Sequence, residues 1–590
     1  MIQALVFCVV LVLAEQAGAQ AIALTGKVVD GKGNPVVGAS VRLLGRTLAS
    51  TTAADGGFDL KGSAAIRSTV PEYGSANRFA DRGVPRFRID GRIGDARLAW
   101  LFTYASDPYA REGDAEPVAR PAGLAKSTQA SSAAVDTLEV RASGFIRKLS
   151  PLQSYSGNLS VTLAPQLRDP ELAYAAYVPK PTDRILSRSD YLRRLHGLWL
   201  AESMANWTGL VTEMDKIQPP FYTRADWGKR DQKSIWGVWG PNPDTLIDYT
   251  FTKQGTPWGA DDDTDLEYMY QHLMDTDNVS ILSPTQIQAG WLRHIKVQEE
   301  NYLWVSNQRA FDLMRGGMLP PETSLPKNNP DYDMIDAQLT TEIFGAFAPA
   351  RPDVAARMAE LPIRTTAYGP AALIANFYVR MYSLASAAPA ELTMKEKTRW
   401  LASQARATLP DTSYPAKMYD YVYGRVTAGV PAWETVRDEL HVRYQVNHAD
   451  GYDVTARPGI VCQGCFAAGI NFASSLVSLF YGEGDLPKTI QVASLCGWDS
   501  DNPTATWGGL FGLLLGKDGV EAAFGRTDLS DTFWIHRTRQ NFPDRTPNDA
   551  GEDSFPMMAE RGVRIIDRVV LEEMHGGVDP ERDVWYIPAP

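Results

Sequence analysis

Trp258-Gly259-Ala260-Asp261-Asp262-Asp263-Thr264-Asp265-Leu266 and Gly497-Trp498-Asp499-Ser500-Asp501-Asn502 are the two stretches that decide the reading of this chain. Each is an acidic run that opens a helical pattern. Leu266, Met269, Tyr270, Leu273 and Met274 follow the first at helix spacing, while Trp507, Leu510, Phe511, Leu513, Leu514 and Leu515 follow the second in a nearly all-apolar run. One aspartate run at a helix start is commonly no more than a cap. Two such runs, both beside a Trp-Gly approach and one leading into a buried helix, point to a common cleft where five or six carboxylates converge. A helix dipole favours each negative group by only about 0.3–1 kcal/mol, so the cluster needs hard cations to offset its own repulsion. Magnesium is the natural candidate.

The 590-residue chain exceeds one ordinary core, which predicts two or more domains. A net charge of -12, with 58 basic and 70 acidic residues, argues against nucleic acid as a partner. Residues 4–14 are apolar and Ala17-Gly18-Ala19 offers a small-residue cleavage site, so residues 1–19 read as a signal peptide of a secreted, periplasmic or cell-surface protein. An uncleaved anchor is the alternative, although the stretch is shorter than a membrane span. No later segment is long and apolar enough to cross a bilayer. Cys462, Cys465 and Cys496 are too few for a disulfide scaffold and read as buried or singly bridged structural thiols, since no second Cys pair or nearby His completes a zinc site around Cys462-Gln463-Gly464-Cys465.

From Leu24 to Gly62 short alternating strands are separated by turns such as Asp30-Gly31 and Asp55-Gly56-Gly57. Gly26-x-Val28, Gly33-x-Pro35, Gly38-Ala39-x-Val41 and Asp55-Gly56-x-Phe58 together resemble the carboxypeptidase regulatory-like β-sandwich module. Leu138-Glu139-Val140, Gly144-Phe145 and Leu159 to Leu163 read as its last strands. Residues 20–165 are therefore expected to form a β-sandwich, with an inserted hairpin at Arg86 to Thr103 and a flexible Pro/Ala/Ser/Thr-rich loop at 112–134. Such a module suggests attachment, through cell-surface or polysaccharide contact, and no active site is placed in it. Residues 166–186 read as a linker and 187–590 as a large all-α domain. Helices are expected from Ser187 or Ser189 as cap, at Ile335 to Phe347, Ala371 to Leu384, Trp400 to Ala407 and Phe472 to Tyr481.

The helical part resembles the ADP-ribosylglycohydrolases. Gly197 to Asn206, Gly209 and Glu213 are similar to that family's first helix and its glutamate; Trp258 to Met269 resembles the first metal motif. Arg309-Ala310, Gly316-Gly317, Pro320-Pro321-Glu322-Thr323 and Ile335 to Gly345 resemble the middle of the family. Phe480 to Asp485, Gly497 to Asp501 and Thr506-Trp507-Gly508-Gly509 resemble the second metal motif and its helix. The motifs occur in the family's order over about two thirds of the chain.

What the resemblance implies is an all-helical fold around two magnesium ions. Asp261, Asp262 and Asp263 would be ligands from the first motif, with Asp261 where many members have Thr. Asp499 and Asp501 would be ligands from the second, and Asn502 stands where many members have a Thr ligand. Glu213 would be the acid/base or water-positioning group, and Asp262 is counted as catalytic as well as metal-binding. The implied reaction is hydrolysis of an N- or O-glycosidic bond to ADP-ribose or a related sugar by metal-activated water, on an ADP-ribosylated protein or another glycoside. Asp336, Gln338 and Glu342 either line this cleft or form an exposed polar face, and His441 and His448 read as structural or surface residues. Two rival functions stay open: a catalytically silent binding or adhesion protein on the same fold, and a metal-independent secreted glycoside hydrolase.

Overall fold

A computed structural model describes residues 20–30, 33–43, 48–64, 137–141, 148–152, 154, 156–163, 167–235, 246–297, 301–453, 464–545 and 552–590. The expected signal peptide, the hairpin at Arg86 to Thr103, the tract at 112–134, Gly144-Phe145 and Cys462 lie outside the described residues. The chain divides into two compact units, one holding the N-terminal strands and one holding the helices from Arg168 onward.

The first unit contains β1 (Gln20–Asp30), β2 (Ser40–Leu43), β3 (Ala49–Thr51), β4 (Gly57–Ala64), β5 (Thr137–Arg141), β6 (Lys148–Pro151) and β7 (Ser156–Leu163). They form two sheets, in the orders β4-β1-β7 and β3-β2-β5-β6. All pairs are antiparallel except β1 with β7, which run parallel from Ala23 opposite Ser156 to Asp30 opposite Leu163. The period of two sorts the side chains: Val41 and Leu43 are buried while Ser40 and Arg42 face out. Ile22, Leu24 and Val28 of β1 share one apolar core with Leu60 of β4, Val41 of β2, Val140 of β5 and Leu163 of β7, so the two sheets are packed through a single interior.

The second unit is helical: α1 (Arg188–Gly209), α2 (Asp262–Asp277), α3 (Pro284–His294), α4 (Val305–Arg315), α5 (Ile343–Ala346), α6 (Pro352–Thr366), α7 (Pro370–Leu384), α8 (Met394–Arg406), α9 (Tyr414–Thr427), α10 (Trp433–Leu440), α11 (Ala468–Gly482), α12 (Leu486–Cys496), α13 (Asp501–Phe524) and α14 (Phe555–Glu572). Ser187 caps α1, its hydroxyl accepting from the Asp190 N–H at 3.1 Å. No described helix is long and apolar enough to cross a membrane.

Glycine lets α1 and α13 approach closely. A Cβ on Gly197 would lie 2.5 Å from the Gly516 carbonyl carbon, and one on Gly209 would lie 2.5 Å from Asp501 Cα. Gly508 and Gly512 meet the α1 backbone at Ala201 and Gly197 in the same way. The contact holds the start of α13 against the end of α1. At the other end of α1, Arg188 pairs with Asp567 of α14 at 2.6 Å, both side chains being fully buried, and Trp585 Nε1 donates to the same carboxylate at 2.7 Å.

Two expectations are corrected. From Arg168 on, the stretch read as a linker belongs to the helical unit. Asp169 pairs with Arg568 at 3.1 Å, Tyr174 donates to Asp567 at 2.9 Å, and Arg184–Ser187 pairs antiparallel with Val584–Ile587. These partners lie almost 400 residues away, and no local pattern encodes them. Ile335 to Phe347 is a 3₁₀ turn (Ile335–Ala337) and the four-residue α5, with an irregular stretch between. There the Thr340 and Thr341 hydroxyls donate to the carbonyls of Asp336 and Ala337, at 2.8 and 2.7 Å.

Gly209→Ala is expected to lower stability by about 1–3 kcal/mol, the usual cost of overpacking. Chemical denaturation of the full chain measures it, and an unchanged midpoint would show that the α1–α13 contact yields easily.

Candidate metal centre and active site

The first acidic run is clamped before it turns into α2. Trp258-Gly259 forms a short strand parallel to Phe533-Trp534, and Trp258 Nε1 donates to the Ser530 carbonyl at 2.9 Å. Trp207 Nε1 donates to Gly259 O at 2.8 Å, and Arg537, stacked over the Trp207 ring, donates to Ala260 O at 2.9 Å. Asp261 is then the extended N-cap residue of α2 (φ -139°, ψ 170°), and Asp262 and Asp263 occupy its first turn. The fourth aspartate of that run has a different partner, since Asp265 pairs with the fully buried Arg539 at 2.9 Å.

The second run enters through two left-handed residues, Gly497 (φ 92°) and Trp498 (φ 58°). Trp498 exchanges backbone hydrogen bonds with the loop after α1: Met214 N–H donates to Trp498 O at 2.9 Å, and Trp498 N–H to Lys216 O at 2.8 Å. Met214 is itself left-handed (φ 56°). Glu213 is therefore carried on a loop stitched to the residue before Asp499. Ser500 Oγ adds a bond to Gly209 O at 3.0 Å, and Asp499 N–H donates to Asn471 Oδ1 of α11 at 3.2 Å.

The result is two groups of carboxylates with the oxygens of each within 4.8 Å of one another: Asp261, Asp262, Asp263 and Asp501, and Glu213, Asp499 and Asp501. Asp501 belongs to both. All six line one cavity with Asp336. Trp304 and Phe466 line the same cavity, their near-parallel rings (14°) having centroids 6.5 Å apart.

Burial and mutual repulsion dominate the electrostatics. The Asp499 carboxyl is pushed up to about 8, first by burial and then by Asp262. Glu213 is raised well above the usual range by burial, then by Asp501 and Asp499. Asp262, Asp263 and Asp501 are raised by burial and by their neighbours in the cluster. Asp261 is raised by burial against the opposing effect of Arg537 and Asn206. An all-oxygen, buried, self-repelling set fits hard cations.

Asn502, expected as a ligand, is hydrogen-bonded through both ends of its amide. Its Nδ2 donates to Asp263 Oδ1 at 3.3 Å, while its Oδ1 accepts from Gln338 Nε2 at 3.0 Å. In this arrangement it orients Asp263, and its Oδ1 keeps a second lone pair beside the bond from Gln338. Sequence reasoning missed Asn206 of α1, whose Nδ2 donates to both Asp261 Oδ2 (3.1 Å) and Asp263 Oδ2 (3.0 Å), along with Asn471, Trp304 and Phe466. The available signal for Asn206 was an amide inside an apolar helical stretch. Asp336, Gln338 and Glu342, left between cleft and exposed face, are all buried. Cys465 is disulfide-bonded, and Cys496 is a free buried thiol pushed up to about 12 by burial.

A helical domain that gathers carboxylates from two helix starts around one cavity offers a candidate site for metal ions. The ADP-ribosylglycohydrolase family model matches residues 187–550, and the chain belongs to that family. A solved structure titled "ADP-ribosylglycohydrolase-related protein complex" matches at 13% identity, covering 64% of this chain and 99% of its own, with a TM-score of 0.38. No curated protein matches.

A pH dependence follows for the metal-free protein. Carboxyls raised in the folded state stabilise it fully below the unfolded value near 3.8, and that stability is lost as pH rises through the folded values, up to about 8 for Asp499. Tm in chelator is expected to fall from about pH 5 to about pH 8.5, and added magnesium to restore most of the loss at the upper end. A Tm indifferent to both would contradict the cluster's electrostatics.

Proposed function

We propose that this protein is an exported, magnesium-dependent hydrolase that cleaves an N- or O-glycosidic bond to ADP-ribose or a related sugar. The observation that carries the reading is the sharing of Asp501 between two carboxylate groups, which suits a pair of ions. Asp261, Asp262, Asp263 and Asp501 would hold one, and Glu213 or Asp499 with Asp501 the other. Bound there, the ions supply Lewis acidity toward a ribose diol and a nucleophilic water at neutral pH.

The chain's own groups do the rest. Glu213, held toward its protonated form in the metal-free cavity, is the residue suited to move a proton between water and the leaving group. Asn206 and Asn502 hold Asp261 and Asp263 by their amides, so the first group keeps its shape without a basic side chain. Trp304 and Phe466 offer ring faces to a sugar or base entering the same cavity. The apolar segment at residues 4–14 supports export, and the family's substrates support an ADP-ribosylated protein or nucleotide as target. The N-terminal strands would then serve attachment to a cell surface or polysaccharide.

The test is a release assay on arginine- and serine-linked ADP-ribose alongside simple glycosides, with magnesium and with chelator. Activity is expected only with the metal. Asp262→Ala and Asp499→Ala should each abolish turnover while leaving the helical circular dichroism intact, because removing one charge from a repelling set does not destabilise the metal-free fold. Turnover that persists in both variants would refute the assignment. Glu213→Gln should lower kcat by about 10²–10⁴-fold with metal content unchanged, the usual span for losing a general acid or base. A smaller effect on kcat assigns Glu213 a binding role only.

A further inference from the structure

Away from the aspartates, the far half of α2 and the adjoining α3 border an open cleft of about 810 Å³, lined in part by His272, Leu273, Gly290, Arg293, His294 and Phe542. That volume falls in the range of about 300–1,000 Å³ usual for small-molecule sites. His272 follows Asp262 by about ten residues, which sets it roughly 15 Å further along the helix axis. Gly290 lets α3 close onto α2, since a Cβ there would overlap the Leu273 side chain.

Two histidines line its buried side. His272 and His294 are 8% and 2% exposed, their rings stand edge to face with centroids 5.1 Å apart, and His294 stacks on Phe542 at 4.0 Å. Their partners set their tautomers. Arg545 Nη2 can only donate, and it does so to His272 Nδ1 at 3.4 Å, so the His272 proton sits on Nε2. His294 Nδ1 donates to the Gln540 carbonyl at 3.0 Å, which leaves its Nε2 an acceptor. Burial, then His294 and the nearby arginines, push His272 down to about 3, and burial lowers His294, so both rings are neutral at pH 7. Neither Nε2 has a hydrogen-bond partner among the described residues. The cleft therefore offers one donor and one acceptor side by side.

The charge around these rings is positive. Next to His272, the single carboxylate of Asp553 serves both Arg545, at 3.4 Å, and Arg561, at 2.5 Å, which leaves that group with a net positive charge. Arg293 is exposed, lines the cleft and makes no ion pair among the described residues. Asp277, the one carboxylate lining the cleft, is also exposed, and Gln286 Nε2 donates to it at 3.0 Å. We propose that the cleft binds a small hydroxylated anion, a sugar phosphate or a hydroxy acid. Its charge meets Arg293 and the His272 Nε2–H, and a neighbouring hydroxyl donates to His294 Nε2. The inference does not depend on the glycosidase reading.

The experiment is calorimetric titration of the full chain in chelator, where the metal-free aspartates repel anions, with ribose 5-phosphate and with glycerate. A saturable site is expected for at least one of them, and the tighter of the two tells whether phosphate or carboxylate is the preferred charge. Arg293→Ala, at an exposed position, and His272→Phe, which keeps a ring against His294, should each weaken that binding about tenfold or more, the usual worth of a hydrogen bond to a charged group. His294→Phe, which keeps the stack on Phe542, should weaken it as well while sparing the binding of sulfate, which has no hydroxyl to donate. No saturable site for either compound, or binding that Arg293→Ala or His272→Phe leaves unchanged, overturns the proposal. Metal-dependent glycoside release by Arg293→Ala is expected to match that of the unaltered protein, so failure here and failure of the active-site assignment are read separately.

Discussion

The close approach of α1 to α13 is the constraint on which the rest of the site depends. Gly197 and Gly209 on one helix and Gly508, Gly512 and Gly516 on the other remove the side chains that would hold the two axes apart. Because Gly209 lies against Asp501, the same contact fixes the height at which the second acidic run meets the first. α2 then needs only its own clamp, through Trp207, Arg537 and the Trp258-Gly259 strand, to bring Asp261, Asp262 and Asp263 to the same point. Packing brings together groups that electrostatics would separate.

The opposition between those two forces explains the placement of neutral amides. Asn206, Asn471 and Asn502 each donate to, or accept from, an acidic-run residue, so its geometry is held by hydrogen bonds that add no charge. The arginines nearby are engaged elsewhere, Arg539 with Asp265 and Arg537 with the Ala260 carbonyl. A guanidinium inside the cluster would have neutralised it and competed with a cation for the same oxygens.

Much of this was legible before any coordinates. The paired acidic runs and the cap at Ser187 follow from residue order and spacing, and the choice of Glu213 after the first helix from the family resemblance. The buried amides did not, for a physical reason. Periodicity assigns polar positions of a helix to solvent, which works for a surface helix with one apolar face. In α1 every residue from Gly197 to Gly209 is buried, so Glu202 and Asn206 point into the protein although the pattern sends them outward. The segment from Ile335 to Phe347 misled in the opposite direction: its spacing is helical, but threonine side chains compete for the carbonyls a helix would use. The clasp of residues 168–187 onto the C-terminal helix and strand is written in contacts nearly 400 positions apart.

The reciprocal bonds between Met214, Lys216 and Trp498 make the loop bearing Glu213 and the loop bearing Asp499 one mechanical piece. Neither can shift without carrying the other, so the two acidic side chains are positioned together or not at all. Sequence change that spares this pairing would therefore be expected to accumulate at the rim, around Trp304 and Phe466, leaving the stitched floor as inherited hardware.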